Sequence, residues 1–138
     1  MKFLIIRFSS IGDIVLTTPV IRCLKEQVSD AKVHFLTKRV FAPVLEANPY
    51  IDKLILLNDS WELMMHQLQS EKYDYVIDLH RNLRTWRVKR GLGGSAEIFL
   101  SQTERQQMVV DGTENKPAAR GAHCGPVPEY STFAGRGE

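Results

Sequence analysis

Two short stretches bring together side chains that can do chemistry. Arg7-Phe8-Ser9-Ser10-Ile11-Gly12-Asp13 holds a guanidinium, two hydroxyls, a glycine and a carboxylate, and Asp78-Leu79-His80-Arg81-Asn82-Leu83-Arg84 holds a carboxylate, an imidazole and two guanidinium groups. In the first, a turn of small residues running into a helix presents free backbone N–H groups and the positive end of a helix dipole. That combination suits an anion such as a phosphate, with Arg7, Ser9, Ser10 and Gly12 as candidate contacts. The dinucleotide fingerprint GxGxxG is absent, as is the Lys-Ser/Thr ending of a P-loop. Asp13 has two roles open to it. Three residues after Ser10 it can accept the cap residue's backbone N–H as part of a capping box, or it can stand at a strand end as a general base. Spacing alone favours the cap, and the two roles do not exclude each other. In the second stretch, Arg81 and Arg84 precede or open a helix, where a cation opposes the dipole. An anionic partner, gripped by the guanidinium forks, explains them better. His80 lies with them, although a lone histidine is more often a structural hydrogen bonder. Lys89 and Arg90 read as a solvated helix face.

The elements that position these residues alternate. Lys2–Arg7 is a short, nearly continuous apolar run, as in a strand covered on both faces. From Asp13 to about Val28 the residues Ile14, Val15, Val20, Ile21, Leu24 and Val28 fit one helical face. Pro19 inside that segment predicts a kink, or a short helix followed by a second one. Strands are expected at Lys32–Thr37, Lys53–Leu57 and Tyr73–Leu79. Helices are expected at Phe41–Ala47, at Trp61–Lys72 capped by Ser60, and at Asn82–Leu92. In the segment Trp61–Lys72 the residues Trp61, Met64, Met65 and Leu68 form the inward stripe, and Cys23 reads as core. Strand-helix alternation with short connections means parallel strands joined by right-handed crossovers, whose ligands sit beyond the carboxyl ends. Both chemical stretches begin at such ends.

Composition narrows the function classes. A chain of 138 residues with 43% hydrophobic and 25% charged residues is one soluble domain, and a net charge of +2 excludes nucleic-acid binding by bulk charge. Cys23 and Cys124 are too few for a disulfide framework and lack metal-ligand spacing. No apolar run approaches the ~20 residues of a membrane span, and Arg7 interrupts the opening apolar run too early for a signal peptide. These features predict a reduced, cytoplasmic protein that needs no metal.

With both stretches quoted, residues 1–92 resemble the N-terminal domain of the lipopolysaccharide heptosyltransferases, glycosyltransferase family 9. The resemblance is carried by Leu4-Ile5-Ile6-Arg7-Phe8-Ser9-Ser10-Ile11-Gly12-Asp13-Ile14-Val15-Leu16-Thr17-Thr18-Pro19 and by Tyr73-Asp74-Tyr75-Val76-Ile77-Asp78-Leu79-His80-Arg81-Asn82-Leu83-Arg84. His34-Phe35-Leu36-Thr37 and Glu46-Ala47-Asn48-Pro49-Tyr50-Ile51-Asp52 support it. It implies an α/β fold: a Rossmann-like parallel sheet of about four strands with flanking helices, part of the N-terminal half of a GT-B glycosyltransferase. It implies transfer of heptose from ADP-heptose to the lipopolysaccharide inner core with inversion, no cofactor beyond that donor, and a cytoplasmic enzyme peripheral to the inner membrane. Asp13 takes the position of the catalytic base. Arg7, Ser9, Ser10, Gly12, His80, Arg81 and Arg84 face the anionic acceptor. Family members are much longer, so the chain is expected to hold part of the acceptor side, to lack the donor-binding domain and to be inactive alone. The competing reading is a non-enzymatic module that captures an anion or glycolipid; a receiver- or flavodoxin-like domain is set aside because the paired acidic strand ends of receivers are absent.

Residues 93–138 differ in character. They hold seven of the nine glycines and, between Val110 and Glu138, no apolar run longer than two residues, so an unstructured tail is expected. Read one base downstream, the codons of Met108 and Val109 force a tryptophan, and the shifted frame runs on without a forced stop. The tail is therefore expected to be a frameshifted reading, which an intact frame in independent sequencing of the locus would contradict.

Overall fold

The structure is a computed structural model that describes residues 1–57 and 59–93, and the backbone of 96–98. Along the chain come β1 (Lys2–Ile6), α1 (Ile11–Leu16), α2 (Thr18–Gln27), β2 (Lys32–Lys38), a 3-10 turn (Arg39–Phe41) and α3 (Ala42–Glu46). They are followed by β3 (Lys53–Leu57), α4 (Trp61–Glu71), β4 (Tyr75–Asp78), α5 (Leu83–Leu92) and β5 (Ala96–Ile98). All strand pairs are parallel and the sheet order is β3-β2-β1-β4-β5. The chain winds outward from β1 in one direction, then returns to the other side of β1. The crevice between β1 and β4 is thus the topological switch point, where open α/β sheets bind their ligands.

Each crossover covers one face. Phe3, Ile5, Val33, Phe35 and Ile77 pack with Ile14, Val20, Ile21 and Leu24 of α1 and α2 and with Leu45 of α3. Leu4, Ile6, Leu36, Ile55 and Val76 pack with Met64, Met65 and Leu68 of α4 and Val88 of α5. The alternation along each strand is what a sheet buried on both faces requires, which is why β1 reads as a continuous apolar run.

The four expected strands are present and parallel, with ends shifted by a residue or two. Pro19 resolves as the second alternative: the helix stops at Thr17, whose hydroxyl donates to the Ile14 carbonyl at 2.5 Å, and Pro19 occupies the first turn of α2. That break re-aims α1, so Val15, expected on the buried face, is 51% exposed. A second difference is β5, which pairs with β4 inside the stretch read as tail. Three residues flanked by glycines and a serine carry too little pattern to be seen without the β4 edge beside them. The expectations for residues 99–138 lie outside the described residues.

The amino ends of the strands are clamped by charge. Glu71, ending α4, takes Lys2 Nζ at 2.9 Å and Lys53 Nζ at 2.5 Å, and these bonds hold its carboxyl down to about 2. Beside it His34 Nδ1 and the Tyr73 hydroxyl share a buried hydrogen bond of 2.9 Å. With that end closed, the turns at the carboxyl ends carry the accessible chemistry.

Candidate functional site

The site forms where β1 and β4 release the chain side by side. Leu79 N–H donates to the Ile6 carbonyl at 3.1 Å, extending the β1–β4 ladder by one rung. The Arg7 guanidinium reaches across and donates to the Leu79 carbonyl, so the two turns are tied together. Arg7 Nη2 also meets Asp13 Oδ2 at 2.5 Å. The guanidinium is mostly covered, whereas the Asp13 side chain is 47% exposed.

Asp13 sits at the third position of α1. Its Oδ2 accepts the Ser10 backbone N–H at 3.2 Å and the Ser10 hydroxyl at 2.9 Å. The Ser10 N–H, the Ser10 hydroxyl and the Arg7 guanidinium together hold its carboxyl below the ordinary carboxylate range. Both roles considered for Asp13 are therefore compatible with one geometry: the carboxylate caps α1 and still faces open solvent. At neutral pH it is ionised and able to accept a proton, although its partners make it a weak base.

The other residues of the first turn divide. Ser10 directs both donors at Asp13, so neither is free for a phosphate. Ser9 is half-buried. Gly12 is exposed, and a Cβ built on it meets nothing within 4 Å, so this glycine leaves open space above α1 rather than relieving a contact within the chain. Arg7, expected to face an acceptor, is spent on Asp13 and Leu79. It positions the carboxylate instead of reaching outward.

The second turn is organised by Asp78. Its Oδ1 accepts the N–H of His80 at 3.0 Å and of Arg81 at 2.9 Å, and its Oδ2 lies 3.3 Å from Lys89 Nζ. Burial raises the Asp78 carboxyl's pKa, but the N–H of Arg81, the Thr85 hydroxyl, the N–H of His80 and the Lys89 charge outweigh it, leaving it below its ordinary value. Lys89 is thus a partly buried counter-ion and not the solvated residue expected. Arg81 is bent to φ 55°, a left-handed conformation costly for a side chain of this kind. Asn82 then caps α5: its Oδ1 accepts the Thr85 N–H at 2.9 Å while Thr85 Oγ1 accepts the Asn82 N–H at 3.0 Å.

Arg81 and Arg84 come out of this turn exposed, and neither makes an ion pair with a described residue. His80 does not join them as a cation. Its ring lies edge-on to Phe8 with centroids 5.3 Å apart, and burial, then Arg7, hold its pKa below the ordinary histidine value. As a neutral ring it offers a hydrogen bond, not a charge. Lys38, which the sequence reading passed over, ends β2 and adds to the positive potential at His80. No group of three or more His, Cys, Asp or Glu suited to a metal ion occurs among the described residues.

No protein-family model matches the chain. It is 27% identical over 130 residues to lipopolysaccharide heptosyltransferase 1 of Campylobacter coli, an alignment covering 83% of this chain and 38% of that protein. Over 78 residues it is 32% identical to lipopolysaccharide heptosyltransferase 3 of Escherichia coli, covering 49% of this chain and 23% of that one. The fold matches Escherichia coli ADP-heptose lps heptosyltransferase II with a TM-score of 0.65 at 20% identity, over 80% of this chain and 34% of that one. Escherichia coli heptosyltransferase WaaC with ADP gives a TM-score of 0.64 at 21% identity, over 73% and 35%. A glycosyl transferase family 9 structure from Veillonella parvula gives 0.63 at 19%, over 82% and 40%. The chain is similar in sequence and in fold to part of the heptosyltransferases, and it spans well under half the length of each of these relatives.

Proposed function

We propose that this chain supplies the acceptor side of a glycosyl-transfer site, and that the whole reaction moves a heptose from ADP-heptose to the inner core of lipopolysaccharide. The observation that carries this is the Asp13 carboxylate, ionised, half open to solvent and located at the switch point of a parallel sheet. The acceptor hydroxyl attacks the anomeric carbon on the face opposite the ADP leaving group. The new C–O bond forms, the bond to ADP breaks with inversion, and the hydroxyl proton passes to Asp13. A carboxylate this weakly basic takes the proton late, when the attacking oxygen has already become acidic. Arg81 and Arg84 offer exposed guanidinium groups for the acceptor's anionic substituents.

The test joins residues 1–92 to the complementary part of one of the solved heptosyltransferases. Transfer from ADP-heptose by the graft, together with only weak heat of ADP-heptose binding to the present chain, is the expected outcome. Tight ADP-heptose binding by the chain itself contradicts the assignment of these residues to the acceptor side. A graft that folds and binds inner-core oligosaccharide but transfers nothing favours the non-enzymatic anion-binding module instead. No helix among the described residues is long and apolar enough to cross a membrane. A cytoplasmic, peripheral placement fits a soluble donor and a membrane-borne acceptor, and remains part of the proposal.

A further inference from the structure

Two buried polar atoms at the carboxyl end of the sheet belong to neighbouring positions, and neither has a hydrogen-bonding partner among the described residues. They are the Thr37 hydroxyl oxygen and Arg7 Nε. The Arg7 backbone N–H donates to the Leu36 carbonyl at 3.1 Å, which carries the β1–β2 register one step past Ile6 and sets Arg7 beside Thr37. By the alternation of the two strands, both side chains rise on the face that carries Phe3, Ile5, Val33 and Phe35, the one covered by α1, α2 and α3. Thr37 is 0% exposed. The other two nitrogens of Arg7 are taken, one by the Leu79 carbonyl and one by Asp13. Among the side chains packed on this face, Ile14 and Leu45 are apolar, and the Thr17 hydroxyl already donates to the Ile14 carbonyl. A bare donor and a bare hydroxyl in such surroundings are costly, and folded proteins leave few of them.

We infer that one internal water molecule bridges Arg7 Nε and the Thr37 hydroxyl, and that Thr37 acts through it as a positioning residue for the Arg7–Asp13 pair. The water accepts the Nε–H and exchanges a second hydrogen bond with the Thr37 hydroxyl, which can donate or accept. Buried waters are held by two to four polar partners, and two are supplied here. A sugar or a phosphate has no route to a hydroxyl that is wholly covered. A second ion is disfavoured as well, because Asp13 already balances the guanidinium at 2.5 Å. With all three nitrogens engaged, the guanidinium is fixed from β2, from β4 and from α1, and it cannot swing away from the carboxylate. Thr37 is thereby tied to the charge state of Asp13 without touching it. The consequence for heptose transfer rests on Asp13 being the base, as proposed above; the water and its two partners do not.

NMR and thermal melting of the whole chain test this with no transfer assay, so its failure is distinct from failure of the glycosyl-transfer reading. In the wild type the Arg7 Nε–H resonance should show a cross-relaxation peak to water with the sign of a long-lived contact. Thr37→Val keeps the shape of the side chain and loses the hydroxyl. It should remove that peak, lower the thermal midpoint by about 4–8 °C and move the Asp13 carboxyl midpoint upward. Thr37→Ser keeps the hydroxyl and should retain both the peak and the Asp13 midpoint. Absence of the peak in the wild type overturns the inference, as does a peak that persists in Thr37→Val. A thermal midpoint that holds or rises in Thr37→Val overturns it too, because removing an unpaired hydroxyl from an apolar site is neutral or stabilising. Loss of the peak in Thr37→Ser would place the effect in the γ-methyl group and likewise contradict it. An Asp13 midpoint that Thr37→Val leaves unchanged overturns the positioning role.

Discussion

Asparagine in place of Asp13 is expected to lower kcat for heptose transfer by about 10²–10⁴-fold in the grafted enzyme, with little change in the KM for ADP-heptose. Asparagine keeps the shape of the side chain and still accepts the Ser10 N–H and hydroxyl, the two bonds that cap α1. It cannot accept a proton, and it leaves Arg7 without its partner at 2.5 Å. A pair this exposed contributes little to stability, so the thermal midpoint of Asp13→Asn should stay close to that of the parent. Asp13→Glu keeps the base but moves it by a methylene, and should fall between the two. If the carboxylate serves only as a cap, turnover hardly changes either, because asparagine keeps both capping bonds.

The second large effect falls on the fold of the site. Asp78→Ala is expected to cost about 3–5 kcal/mol, because it removes a buried carboxylate, leaves the partly buried Lys89 ammonium without its partner and strips two backbone N–H groups of their acceptor. A domain of this size has only about 5–15 kcal/mol in total, so the variant should be largely unfolded in moderate urea. Adding Lys89→Met to Asp78→Ala should recover part of the loss, since removing both charges costs far less than stranding one. Asp78→Asn, which keeps the acceptor for His80 and Arg81, should lie between. A loss below about 1 kcal/mol for Asp78→Ala would mean that the 79–82 turn is held by something other than this carboxylate.

The sheet was legible because its strands are short apolar runs bounded by turns, and periodicity alone separates them from the helices. The order of the strands was not. What makes residues 7–13 and 78–84 neighbours is the return of the chain past β1 after β3, a choice made by tertiary packing. Asp13 stood out by its place after a strand and three residues beyond a serine. Spacing points Arg7 outward, since it cannot show that the side chain crosses to the Leu79 carbonyl. Lys89 departs from its expected place for a similar reason. Being basic in the last turn of a helix, it fits a solvated face, and only the buried stripe of Thr85 and Val88 shows that it leans over the end of β4. The same stripe turns Trp86 outward, a consequence that the pattern of α5 contains but that its basic composition hides.

Everything functional depends on the Asp13 carboxylate being open to solvent and ionised against Arg7. The direct measurement is the carboxyl carbon resonance of Asp13 followed by NMR through acid pH, in the wild-type chain and in Arg7→Met. The wild-type midpoint should lie below the ordinary 3.8 of a free aspartate, and loss of the guanidinium should move it upward. Because the folded value is the depressed one, any stability the pair contributes is present above pH 3.8 and lost as the pH falls through the folded midpoint. A midpoint at or above 3.8 that Arg7→Met leaves in place would contradict the geometry from which the base is assigned.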